Sequence, residues 1–137
     1  MFANTLAQFL RSYLQQAVAK GDLPKAEYKV RVHQEPGHGS AVLGVVIQGE
    51  TSFPILNPYA VMDETFAGDW HTPQARKALE KVRKIVRAVQ MQFDSNALDD
   101  LEPQHAFDFY VEFDWFTETK EEEEILAASM RLEAMAA

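Results

Sequence analysis

Apolar positions recur with helical spacing at the start of the chain. Leu6, Phe9, Leu10, Tyr13, Leu14, Ala17 and Val18 follow an i, i+3, i+4, i+7 pattern without a miss, which predicts an amphipathic helix. Asn4 or Thr5 can cap its start and Gly21 can end it. Pro24 blocks any continuation. The period then changes to two. Tyr28, Val30 and Val32 alternate with Lys29, Arg31 and His33, as in a half-buried strand over 28–34. Residues 35–40 (EPGHGS) read as a turn. Residues 41–48 are apolar on both faces and rich in β-branched side chains, which suits a central strand. Gly49 and Glu50 then turn the chain into a third run, 51–56. Pro54 removes a ladder donor there, so this strand is expected at a sheet edge. Together the three runs predict an antiparallel meander.

Residues 57–72 (NPYAVMDETFAGDWHT) fit neither period. Connections of this length are uncommon in compact domains and often functional. A short helix around 59–66 would accommodate Tyr59 and Phe66, and is favoured over exposure of the loop's aromatics, Trp70 included. A long helix follows. Thr72 suits its N-cap and Pro73 its first position. Ala75, Leu79, Val82, Ile85, Val86, Val89 and Phe93 form its buried stripe. Asp94, Ser95 and Asn96 end it, and 96–105 form an acidic connection with room for one turn of helix at 97–101.

Residues 106–116 (AFDFYVEFDWF) alternate again. Phe107, Phe109, Val111, Phe113 and Trp115 share a core face; Asp108, Tyr110, Glu112 and Asp114 share a wet face. Thr119 and Glu122 form a capping-box pair that predicts the start of the last helix, with glutamates at the positive end of its dipole. Ile125, Leu126, Met130 and Leu132 would be its packing side. The predicted order is α-β-β-β-α-β-α: a single α+β domain over 1–137, with an antiparallel sheet of about four strands and helices packed on one face.

Composition changes this picture little. The 137 residues suit one domain, and an aromatic fraction of 11% argues against disorder. No cysteine is present, which excludes disulfides, thiolate zinc sites and a cysteine nucleophile. The N-terminal segment lacks the basic start and apolar run of a secretory signal. No run approaches 18 apolar residues. A cytoplasmic protein without membrane contact is therefore expected.

Charge changes the picture more. The net charge of −8 hides two halves of opposite sign. Residues 1–93 hold 11 basic and 8 acidic groups, and residues 94–137 hold 2 basic and 13 acidic groups. Six basic residues, Arg76, Lys77, Lys81, Arg83, Lys84 and Arg87, cover the polar side of the long helix with only Glu80 among them. A solvated face explains them most simply. A weak nucleic-acid surface along 76–87 is the functional alternative, and the acidic overall balance opposes it. A third reading offsets the basic helix with the acidic strand or tail inside the chain. Opposite charges on neighbouring strands stabilise a pair by ~0.2–1 kcal/mol. The basic face of 28–34 and the acidic face of 106–116 are therefore expected on adjacent strands.

Candidate chemistries are weak. Glu112 and Asp114 lie roughly 7 Å apart along a strand, within the range of an inverting carboxylate pair, but any i, i+2 strand pair has that spacing. The four histidines, His33, His38, His71 and His105, show no metal-ligand spacing. The run at 37–40 lacks the pattern of a nucleophile elbow, and no phosphate-binding glycine motif occurs. Nothing calls for a cofactor or a metal. The sequence therefore favours binding over catalysis. It predicts a small acidic cytosolic protein-binding module, of inhibitor, immunity or chaperone type, that meets a basic surface on a partner protein. The candidate contacts are Asp108, Tyr110, Glu112 and Asp114, with Asp99, Asp100 and Glu102 as rim. Tyr110 and Phe116, aromatic and beside carboxylates, are candidate hot spots unless a helix covers them. The alternative is a small enzyme or ligand-binding domain built on the 57–72 loop, with Tyr59, Asp63, Trp70 and His71 lining its site. Nucleic acid is disfavoured as a partner. A monomer and a homodimer are both compatible with the pattern.

Overall fold

The computed structural model describes residues 2–33, 41–93 and 107–136. The elements are α1 (Phe2–Ala19), β1 (Glu27–His33), β2 (Ala41–Gln48), α2 (Pro58–Met62), α3 (Pro73–Phe93), β3 (Phe107–Phe113) and α4 (Trp115–Ala136). Mixed helix and sheet bear out the α+β class. Among the described residues the sheet has three strands, not four, in the order β1-β2-β3.

Helix α1 ends where Gly21 adopts a φ of +80°. That left-handed conformation suits glycine. It lets the Asp22 and Leu23 amides donate to the Ala17 carbonyl at 2.8 and 3.2 Å, satisfying the helix end. Leu6, Leu10 and Leu14 then point into the core. Helix α3 starts as its sequence implies. Thr72 Oγ1 accepts from the Ala75 amide at 3.1 Å, and Pro73 takes the first helical position, where no amide is needed. Its buried stripe contains Ala75, Ala78, Leu79, Val82, Val86 and Val89.

Strand β2 is central, as its doubly apolar sequence requires. It pairs antiparallel with β1 and parallel with β3. The expected purely antiparallel sheet is therefore corrected. A parallel pair needs a long crossover, and the chain from Gly49 to β3, which contains α2 and α3, supplies it. The core face of the sheet runs in three rows: Tyr28–Ile47–Phe113, Val30–Val45–Val111 and Val32–Leu43–Phe109. Helices α1 and α3 pack against this side. Buried Gln90 on α3 donates to the Phe107 carbonyl at 2.7 Å and so fixes the start of β3.

Residues 51–56 do not form the expected edge strand. Phe53, Ile55 and Leu56 are buried, but the segment folds back on its own loop. Leu56 forms an isolated bridge with His71, the Thr72 amide donates to the Ile55 carbonyl at 2.9 Å, and the Asn57 amide donates to the Trp70 carbonyl at 2.8 Å. Pro54 has no amide to offer a ladder, and the amides that follow it go elsewhere. The short helix expected at 59–66 forms only as Pro58–Met62, with the Asn57 side chain accepting from the Tyr59 amide at 3.1 Å; it buries none of its residues, and Tyr59, Phe66 and Trp70 are exposed, against the expected packing. The turn at 35–40, the helix end at 94–96 and the acidic connection at 96–105 lie outside the described residues.

Candidate interaction surface at the β3–α4 corner

Among the described residues no helix packs on the second face of the sheet, and this face carries the polar sets of β1 and β3 on either side of Val42, Gly44 and Val46 of β2. Its rows are Lys29–Val46–Glu112, Arg31–Gly44–Tyr110 and His33–Val42–Asp108. The basic and acidic columns do share one side, as their alternation implies. They are not neighbours, however: β2 stands between them. The central strand outcompetes direct charge pairing because only its two apolar faces and two paired edges bury it fully. Val46 is 1% exposed on this side.

Gly44 lets the outer strands meet across β2. A Cβ at this position would lie 2.1 Å from Tyr110 Cζ, so the Tyr110 ring occupies the volume a side chain would need. The Tyr110 hydroxyl reaches His33 Nε2 at 3.0 Å, and the two rings stack with centroids 6.1 Å apart. Tyr110 is therefore half-buried and engaged, not a free aromatic on a wet face.

Strand β3 passes into α4 without a loop. The Asp114 amide donates to the Ile47 carbonyl at 2.8 Å, as the strand's last tie to β2. Its Oδ2 accepts from the Thr117 amide at 3.4 Å, as a helix N-cap. The helix thus begins five residues before the expected Thr119 start. Thr119 instead lies inside α4 and donates its hydroxyl to the Trp115 carbonyl at 2.8 Å. The early start rotates Trp115 out of the alternation. Its expected core position is corrected: Trp115 is 68% exposed and Phe116 is 73% exposed. The two rings meet edge to face with centroids 5.1 Å apart. Phe116 shares a surface depression with Thr117, Lys120, Glu121 and Glu124 of α4, and Glu112 lies three residues before Trp115.

The first turns of α4 are held by polar ties. The Gly49 amide donates to Thr117 Oγ1 at 3.1 Å. His71 Nε2 and Glu118 Oε1 are 2.6 Å apart, and the His71 ring lies 5.2 Å from that of Phe113. Glu121 accepts from the Ile55 amide at 2.9 Å and from the Leu56 amide at 2.7 Å. Beyond this the helix is scarcely packed. Ile125 is half-buried, but Leu126, Met130 and Leu132, its expected packing side, are exposed. The body ends under Ile125, and no described element continues beneath the later turns.

The loop candidates are dispersed. Tyr59 is 69% exposed and lies 6.2 Å from the Phe66 ring. Asp63 accepts from the amide and hydroxyl of Thr65 at 2.9 and 2.7 Å, and these bonds hold its carboxyl below the usual carboxylate range. Trp70 is exposed, and His71 is turned toward Glu118. No hydrogen bond joins Asp63 to His71 among the described residues, and no group of three potential metal ligands occurs among them. Asp99, Asp100 and Glu102 lie outside the described residues; Asp108 and Glu112 are exposed and Asp114 is committed to the helix cap. The basic side of α3 is solvent-facing, with Arg76 paired to Asp69.

Two residues of this corner escape sequence reasoning. Glu121 sits in a run of four glutamates that nothing in the sequence tells apart. Trp115 carries an alternation signal that points the wrong way, and the competing signal is Asp114 as an N-cap with Thr117 three residues on. No family model matches this sequence, and no curated protein and no solved structure is similar to it. No helix among the described residues is long and apolar enough to cross a membrane.

Proposed function

We propose that this protein is a binding module whose β3–α4 corner covers a basic surface on a partner protein, as inhibitors, immunity proteins and chaperones do. The observation that carries this reading is the exposed Trp115–Phe116 pair in the acidic C-terminal part of the chain. Large aromatics are the residues most often found at the energetic centre of protein interfaces. Surrounding carboxylates add partner selection and faster association instead of raw affinity. The pair stands on a rigid support, since Asp114 ties the corner to β2 and caps α4. Glu112 precedes it at the near end of β3, whereas Asp108 lies at the far end of that strand and Tyr110 is held by Gly44 and His33.

The test is affinity capture from the native host, followed by titration with the purified candidate. Trp115→Ala with Phe116→Ala should weaken binding at least tenfold, as loss of a hot-spot pair does. Glu112→Lys should slow association and flatten its dependence on salt. A partner that binds the aromatic double variant as well as the wild type would end this reading.

A further inference from the structure

Helices α3 and α4 carry the same order of surface with opposite charge. On α3, Lys84 and Arg87 precede Ala88 and Met91, all exposed. On α4, Glu122 and Glu123 precede Leu126 and Met130, all outside the body except half-buried Glu122. The spacing is also similar. Lys84, Ala88 and Met91 are separated by four and three residues, and Glu122, Leu126 and Met130 by four and four. At 1.5 Å per residue the stripes are about 10 and 12 Å long on one helix face.

Neither stripe is paired among the described residues. Lys77, Lys81, Arg83, Lys84 and Arg87 make no ion pair or hydrogen bond among the described residues, and Arg76 alone is paired, to Asp69. Like charges three and four residues apart on a helix repel each other. Glu122 and Glu123 likewise make no ion pair or hydrogen bond among the described residues, in contrast to Glu118 and Glu121. The apolar ends are open too: Met91 is 69% exposed and Met130 is 70% exposed.

We infer that α4 of one copy docks in parallel along α3 of a second copy, giving a reciprocal dimer of this chain. In that register Glu122 and Glu123 meet Lys84 and Arg87, Leu126 covers Ala88, and Met130 meets Met91. Charge and the apolar ends together select the register: reversing α4, or sliding it toward the C-terminus of α3, sets glutamates against Met91, and sliding it one turn the other way sets Leu126 against Lys84 and Glu122 against Glu80. Reciprocity gives two such contacts, which helps toward the ~800 Å² per partner of a stable interface. The surface uses none of Glu112, Trp115 and Phe116, so Trp115→Ala with Phe116→Ala, which leaves Glu122 and Glu123 in place, separates its failure from that of the proposed function.

Sedimentation equilibrium on the full chain provides that test. At about 50 mM salt the wild type should run at the mass of two chains, and at about 500 mM salt it should shift toward one. Lys84→Glu with Arg87→Glu makes both helices acidic, and Glu122→Lys with Glu123→Lys makes both basic. Each variant alone should stay monomeric, whereas an equimolar mixture should return to the two-chain mass, because both reciprocal contacts are then restored. Far-UV circular dichroism reports whether each variant folds. Met130→Arg, at an exposed site, provides a second route and should weaken the dimer at least tenfold. A wild type that is monomeric at about 100 μM and low salt overturns the inference. So does a folded mixture that stays monomeric, or a dimer that survives either charge swap and Met130→Arg.

Discussion

Glu121→Ala should be among the most destabilising surface-helix substitutions in this protein. Its carboxylate takes the amides of Ile55 and Leu56 at 2.9 and 2.7 Å, and both of those residues are essentially buried, at 1% and 0% exposure. Pro54 precedes them and the segment joins no ladder, so no neighbouring carbonyl stands ready as a substitute. Hydrogen bonds to a charged group contribute ~1.5–3 kcal/mol, and each buried donor left unpaired costs ~1–3 kcal/mol. Water reaching the half-buried site recovers part of that loss. The expected net effect is about 3 kcal/mol by urea denaturation, or a fall of roughly 10 °C in Tm for a domain of this size. Glu121→Gln retains one acceptor oxygen and should lose about half as much. Amide exchange at Ile55 and Leu56 should accelerate in both variants. Glu123→Ala and Glu124→Ala, one turn or less away and solvent-exposed, should stay within about 0.5 kcal/mol of wild type. Equal small effects across all the glutamates, with unchanged exchange at Ile55 and Leu56, would refute the reasoning.

Two other perturbations probe the sheet. Gly44→Ala places a methyl where the Tyr110 ring lies and should destabilise by about 1–2 kcal/mol. NMR cross-peaks between the His33 and Tyr110 rings should disappear in the same variant. Combined with Tyr110→Ala the cost should shrink, and a double-mutant coupling below about 0.5 kcal/mol would deny that the ring fills this space. Tyr28 donates its hydroxyl to the Pro24 carbonyl at 2.7 Å, and burial pushes its pKa up to about 12 from 10.0. The folded state therefore holds the phenolic proton more tightly than the unfolded state. That contribution is fully present below pH 10 and is lost as pH rises from 10 to 12. Tyr28→Phe should flatten this part of the stability–pH curve; an unchanged slope contradicts the assignment.

Helix periodicity and cap chemistry were legible in the sequence because they are local. Gly21 ends α1 and Thr72 with Pro73 opens α3 by interactions within a few residues. The central place of β2 was legible too, since an apolar run on both faces has nowhere else to go. Strand direction was not, because the alternation of β3 reads the same beside a parallel or an antiparallel neighbour. The β3–α4 boundary was misplaced for a related reason. Asp114 and Thr119 are both good caps, and the choice depends on the Asp114 amide reaching Ile47, far away in sequence. Of the candidate surface, its acidity and Phe116 were readable, whereas the exposure of Trp115 depended on that boundary.

The parallel β2–β3 pair also governs how the chain can fold. Strands β1 and β2 are close in sequence and can pair early, but Ala41 must wait for Phe107, beyond both α2 and α3. Contacts of such separation form late, since loop closure precedes any gain from pairing. Until then β2 (AVLGVVIQ) keeps one edge open. It is uncharged, β-branched and free of proline, the signature of a segment that pairs with other chains. In the native sheet both edges are taken. A substitution that delays β3, such as Gln90→Leu at its anchor on Phe107, should therefore increase aggregation during refolding beyond what its loss of folded-state stability accounts for.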